Sequence, residues 1–218
     1  MLLARMLRVR FLTVVLAVLL LGLSPNGTAA ADGRFKVCLD PGHGGSDQGA
    51  VRGALVEKEL TLDIAERVRA ALNPAVYDVA LTRNDNNTTL GNSERAQICN
   101  SFGAQIVLSV HLNASTDPNV DYAWFFYGKP LKDRAFTSTM DANYQIQNAY
   151  GTGGLPHKAI TNFANGTLLR SNAPASLAEC LFLSETREQE LLLATDASSR
   201  RQEIASALVL GIRAFVGR

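Results

Sequence analysis

Three short apolar runs constrain this chain most: Phe35–Asp40 ("FKVCLD"), Ala104–Val110 ("AQIVLSV") and Ala175–Ser184 ("ASLAECLFLS"). Each has the length of a buried strand and falls short of a helix of ordinary length. Between them the apolar spacing changes. Leu60, Ile64, Val68 and Leu72 recur every four residues, which predicts a helix over "EKELTLDIAERVRAALNP", stopped by Asn73-Pro74. "GNSERAQICNSFG" predicts a second helix, begun by Asn92 or Ser93 and ended by Gly103. Tyr77, Val79 and Leu81 alternate as a strand, "YAWFFYG" is an aromatic strand, and residues 131–149 read as helical. Glu188–Leu193 and Arg200–Phe215 read as helices, the latter with a stripe at Ile204, Leu208 and Ile212. Strands alternating with helices predict an α/β fold: a three-layer sandwich with a mostly parallel sheet.

The first 31 residues stand outside that pattern. Arg5, Arg8 and Arg10 precede the apolar run Phe11–Leu23, and a Ser-Pro-Asn-Gly break leads to Ala29-Ala30-Ala31. Charge, apolar run and small-residue site are the order of a secretory signal. Its apolar stretch is short of the roughly 20 residues of a membrane span. The reading is a signal peptide over 1–31, cut after Ala30 or Ala31, with a retained membrane anchor as the alternative. The remaining segment, 32–218, has the size of one domain.

Composition excludes some partners. Lys and Arg total 21 against 20 Asp and Glu, a net charge of +1 with no basic cluster. Neither a nucleic acid nor a charged membrane surface is expected. Export permits disulfides, but Cys38, Cys99 and Cys180 are odd in number and sit in apolar contexts. They read as buried small hydrophobes, with a single bridge left open.

The chemistry gathers at the strand ends. "PGHGGSDQG" places His43 on a glycine-rich turn after the first strand, and His111 follows the run at Val110. The carboxyl ends of strands form the ligand crevice of open α/β sheets, so both imidazoles are expected on one rim. Glu57 opens the first helix. A glutamate there also suits the helix dipole, so this position alone decides nothing. Glu179 lies inside an apolar strand, where a bare carboxylate is costly to bury and its pKa is pushed upward. Two histidines and a carboxylate make a catalytic zinc set, and a separate carboxylate would serve as base. Two unrelated loop histidines are the rival reading. The turn fits neither GxxxxGK[ST] nor GxGxxG, and no GxSxG elbow exists.

On these segments the chain resembles the zinc-dependent N-acetylmuramoyl-L-alanine amidases of the Amidase_3 type. The matching stretches are "LDPGHGGSDQGA", "EKELTLDIA", "LTRNDN", "SERAQICNSFGAQIVLSVHLNAS" and "AECLFLSETREQELLL". The resemblance implies a sheet of about six strands and one zinc per chain held by His43, Glu57 and His111, with Glu179 catalytic. It implies cleavage of the amide between N-acetylmuramic acid and L-alanine in peptidoglycan, by an enzyme exported to the periplasm, the cell wall or beyond. A zinc peptidase acting within the stem peptide and a silent peptidoglycan-binding relative are the alternatives. The chain departs from the family's usual glycine at Leu181 and its asparagine at Glu185, which bears on the cleft wall. The stretch between "WFFYG" and "LRSNAPASLAE" lacks an acidic plug helix, so an uninhibited form is expected; no activator is identified.

Four further residues have two readings each. Asn113 either orients the site or caps a loop. Arg83 either meets a substrate carboxylate or forms a structural salt bridge. His157 is solvated or touches substrate. Trp124 packs in the core or stacks on sugar.

Overall fold

A computed structural model describes residues 33–194 and 199–217. The predicted signal peptide lies outside the described residues. Six strands form one sheet: β1 (Phe35–Pro41), β4 (Tyr77–Leu81), β5 (Ile106–Asn113), β6 (Ala123–Tyr127), β7 (His157–Asn162) and β8 (Ala175–Phe182). Their order is β4-β1-β5-β8-β6-β7. The first four are mutually parallel, while β6 runs antiparallel to β8 and carries β7 parallel to itself. β2 (Val51–Arg52) and β3 (Leu55–Val56) form a separate small hairpin. The expected α/β sandwich is therefore present.

Strand alternation divides the sheet into two unlike faces. Val37 and Leu39 of β1, Ile106, Leu108 and Val110 of β5, and Ala178 and Cys180 of β8 point one way. They meet α1 (Glu57–Ala71), α3 (Pro130–Asn143) and α6 (Arg200–Val216) in the large core. The helix stripes supply the other half: Ile64, Val68, Ile204, Leu208 and Ile212 are each fully buried. Each such side chain contributes about 1.5–3 kcal/mol by leaving water.

The opposite face begins apolar and turns polar. Cys38, Val107, Ala175 and Leu177 pack under α2 (Asn92–Phe102) and α4 (Gly166–Arg170). Two residues further along the same alternation come Asp40, Ser109 and Glu179, and two beyond Ser109 comes His111. These polar groups line the cleft.

The structure differs from the sequence reading in several places. β5 continues to Asn113, so His111 stands inside a strand rather than after it. His157 opens β7 rather than sitting in a loop. Helix α2 has Gly91 as its N-cap, with Glu94 Oε2 accepting from Gly91 N at 2.7 Å. Cys38 and Cys99 are not separate hydrophobes but form a disulfide, with Cα atoms 5.5 Å apart. The inward side chain of β1 meets α2 there, across 61 residues of sequence, a proximity that local composition cannot reveal. Cys180 lies on the other face, buried and free. Helix α5 (Thr186–Leu193) completes the described elements, with Glu185 as its N-cap.

Candidate metal centre and active site

The turn after β1 is shaped by what sits against it. His43 adopts φ 61°, a left-handed conformation uncommon for a residue with a side chain. Two arginines hold the backbone there. Arg83 donates from Nε to Pro41 O at 3.1 Å and from Nη2 to Gly42 O at 2.8 Å. Arg95 donates to Pro41 O at 2.8 Å and to His43 O at 2.7 Å. All three carbonyls of Pro-Gly-His are thereby satisfied. The glycines have a site reason too. A Cβ on Gly42 would strike the His111 ring, and one on Gly49 would come within 2.5 Å of Glu57 Oε2.

Arg83 is thus a backbone clasp rather than a substrate contact, and it forms no salt bridge among the described residues. It is 2% exposed, and its remaining donors go to Lys58 O, Asp85 O, Asn86 Oδ1 and Thr61 Oγ1. Burial lowers its pKa to about 10. Arg95 was not singled out from sequence, yet it carries more. It pairs with buried Asp40 at 2.8 Å, and Thr82 and Ser109 also donate to that carboxylate at 2.6 and 2.7 Å. Burial alone would raise the Asp40 pKa, but Arg95 and these hydroxyls hold it low.

Glu57, His43 and His111 converge, although 54 residues separate Glu57 from His111. Their donor atoms all lie within 4.8 Å of one another. Glu57 Oε1 is 3.1 Å from His43 Nε2 and 3.2 Å from His111 Nδ1. Backbone amides fix the carboxylate: Leu112 N donates to Oε1 at 3.1 Å and Ala50 N to Oε2 at 2.8 Å. Burial favours neutral groups, but the mutual attraction prevails. It holds the Glu57 carboxyl well below the carboxylate range, raises His43 to about 9 and raises His111. Asp47 is a further member that sequence reading missed. Its Oδ2 lies 2.9 Å from His43 Nδ1 and so leaves Nε2 facing Glu57. The available signal was its position four residues after His43 in an otherwise glycine-rich turn. Two imidazoles and a carboxylate, with a carboxylate behind one imidazole, form a donor set suited to zinc.

Glu179 completes the group. It pairs in register with His111 on one side and with Trp124 on the other. Its Oε2 is buried and has no hydrogen-bond partner among the described residues. Burial raises its pKa to about 7, against the pull of His111. The four residues face a cleft of about 470 Å³. A buried, unpartnered carboxyl that titrates near neutrality beside a metal-type donor set can accept and return a proton.

The remaining candidates fall elsewhere. Asn113 is on the cleft rim, but its Oδ1 accepts from Ala114 N at 2.8 Å, the loop-capping role. His157 faces α3, with Nδ1 2.8 Å from Asp141 Oδ1, and does not line the cleft. Leu181 is fully buried in the large core. Glu185 caps α5, accepting from Glu188 N at 2.6 Å and from Tyr150 Oη at 2.7 Å. Neither departure from the family pattern narrows the cleft. Trp124 is half-buried and carries Phe126 4.4 Å away on one side and the Lys158 ammonium 4.1 Å away on another, so it offers no free stacking face.

Comparison with known proteins supplies the context for this geometry. The family model Amidase_3, N-acetylmuramoyl-L-alanine amidase, matches residues 37–214. The chain is 30% identical over 194 residues to the germination-specific N-acetylmuramoyl-L-alanine amidase of Bacillus subtilis (strain 168), covering 81% of this chain and 77% of that one. Its fold is similar to the catalytic domain of CwlV, an N-acetylmuramoyl-L-alanine amidase from Bacillus (Paenibacillus) polymyxa var. colistinus. The TM-score is 0.73 at 27% identity, covering 84% of this chain and 98% of that one. It is also similar to the CwlD amidase of Clostridioides difficile, solved in complex with the GerS lipoprotein. There the TM-score is 0.68 at 25% identity, covering 84% and 99%.

Proposed function

The chain belongs to the N-acetylmuramoyl-L-alanine amidase family, and from that premise we propose that it cleaves the amide between N-acetylmuramic acid and L-alanine using one zinc ion held by His43, Glu57 and His111. When bound there, zinc supplies Lewis acidity, enough to bring the pKa of water to about 7 and to polarise a carbonyl. The chain's own residues do the rest. Asp47 holds His43 Nδ1 and aims Nε2 at the centre. The amides of Ala50 and Leu112 hold Glu57 in place. Glu179 takes the proton of the attacking water and returns it to the leaving nitrogen of L-alanine, as base and then acid.

The observation that carries this reading is the unpartnered Glu179 carboxyl beside His111. Asp121 and Ser176 also hold a buried oxygen without a partner among the described residues, but only Glu179 combines this with a place in the cleft beside the His43, Glu57 and His111 donors. His43 and His111 retain 22% and 18% exposure of their side chains, which supports solvent entry without a partner's help. The charged, apolar and small-residue order over 1–31 supports export, and no described helix is long and apolar enough to cross a membrane.

The test is digestion of purified peptidoglycan by the full chain, with new amino termini counted by mass spectrometry. Intact stem peptides beginning with L-alanine are expected, and they should vanish with a chelator and in Glu179→Gln. Internal cleavage would replace this reading with a zinc peptidase. Zinc bound at one per chain with nothing released would make the chain a silent binder or one that works only with a partner protein; the CwlD relative was solved in complex with one, the GerS lipoprotein.

A further inference from the structure

Strand register extends the site beyond its four residues. His111 pairs with Glu179, Glu179 with Trp124, and Trp124 with Lys158. Cross-strand partners project from the same face. The row His111–Glu179–Trp124–Lys158 therefore runs from the proposed metal centre to the β7 edge, its first two members lining the cleft and its last two lying on the sheet surface outside that lining. Lys158 is exposed, yet its ammonium is held in place: it sits 4.1 Å from the Trp124 ring centre and 5.1 Å from that of Tyr122. Trp124 is itself fixed, donating from Nε1 to Thr161 Oγ1 at 3.0 Å and Ala159 O at 3.1 Å. No carboxylate lies within ion-pair distance of Lys158 among the described residues. The result is a positioned cation with no counter-charge, two strands from the residue proposed to move the proton.

We infer that Lys158, seated on Trp124 and Tyr122, is a specificity determinant that binds a carboxylate of the stem peptide. This deepens the amidase reading and rests on it. Charge selects the side of the substrate. The amide-linked sugar is neutral, whereas the peptide beyond the scissile nitrogen carries carboxylates. Distance selects the position. Neighbouring strands lie about 4.8 Å apart, so the Lys158 backbone is about 10 Å from that of Glu179, and the ammonium leans back over the intervening ring. A peptide advances about 3.3–3.6 Å per residue, which places the carboxylate about two residues beyond the scissile amide. Holding the ammonium against two rings limits its rotamers before substrate arrives, so less ordering is lost on binding.

The test uses the full chain and two synthetic muramoyl peptides that differ only in whether the second residue bears a free carboxylate or its carboxamide. Lys158→Met is expected to raise KM about fivefold for the carboxylate form, to leave kcat within about twofold, and to leave the carboxamide form unaffected. Lys158→Arg is expected to restore the preference. Calorimetric titration of the free carboxylate peptide into wild type and Lys158→Met gives a readout that needs no turnover. Binding weakened about fivefold by Lys158→Met supports the subsite even if wild type hydrolyses neither substrate, in which case the amidase reading fails alone. Equal KM and equal peptide affinity in wild type and Lys158→Met, or an equal loss for both substrate forms, would overturn the inference.

Discussion

His111 and Glu179 are cross-strand partners on neighbouring parallel strands, so the metal-type donor and the proposed proton carrier stand in register 68 positions apart in sequence. The relationship is rigid because both strands lie in the middle of the sheet. Its consequences can be measured.

Glu179→Gln separates the two halves of the site. Turnover should fall about 10²–10⁴-fold, the usual worth of general acid–base catalysis, while zinc stays bound at one per chain. The substitution also removes a buried carboxyl whose pKa is raised to about 7. Such a group costs stability once pH rises above its ordinary 4.5. At pH 8 the metal-free variant should therefore be more stable than wild type, by on the order of 1–3 kcal/mol. Loss of zinc from the variant would show Glu179 to be a ligand.

The metal-free protein should have a distinctive pH profile. The His43 pKa is raised from 6.5 to about 9, so its contribution is complete below 6.5 and disappears as pH rises through 9. The Glu57 pKa is lowered from 4.5, so its contribution is complete above 4.5 and is lost as pH falls. Stability with chelator should peak just above about pH 4.5 and decline toward pH 9, first as the Glu179 penalty sets in up to about 7 and then as the His43 contribution is lost. With zinc bound the part of the decline that belongs to His43 should vanish, since metal replaces its proton and binding releases it. Thermal melts across this range, with and without metal, decide it; a flat chelated profile would show that the triad does not titrate as a unit.

Asp47→Asn tests the support of His43. The ring would lose the carboxylate that orients it, and zinc affinity should fall about 10–100-fold with little change in folding, because Asp47 is largely exposed. Competition with a chromogenic chelator reads the affinity directly.

Arg95→Met should be far more damaging. It strips Asp40 of its partner, leaving a buried charge uncompensated at about 3–5 kcal/mol. It also frees the Pro41 and His43 carbonyls, so zinc affinity should drop as well. Denaturant melts and zinc titration on one sample would show both losses; an intact affinity would mean Arg83 alone holds the turn.

Replacing Cys38 and Cys99 by serine opens a covalent loop of 61 residues. Chain entropy puts the loss at about 2–4 kcal/mol. Zinc binding should survive in the folded fraction, because neither sulfur lines the cleft. A non-reducing peptide map would verify the bridge.

Local pattern makes much of this molecule legible in its sequence. Four-residue spacing marks α1 and α6, short apolar runs mark β1, β5 and β8, and an acid inside one such run marks Glu179. His43 and Glu57 are legible because each stands at the boundary of an element, and His111 because it lies near the carboxyl end of a strand, where a parallel sheet collects its ligands. What lay across from what was decided only by tertiary structure. The Cys38–Cys99 bridge, the clasp of Arg83 and Arg95 on three carbonyls, the reversal of β6 and β7, and the row ending at Lys158 all depend on strand order and register. Alternation along a strand is a property of neighbouring residues and is written in the chain. Adjacency between strands arises when separate segments bury their apolar faces together, and no stretch of either segment contains it.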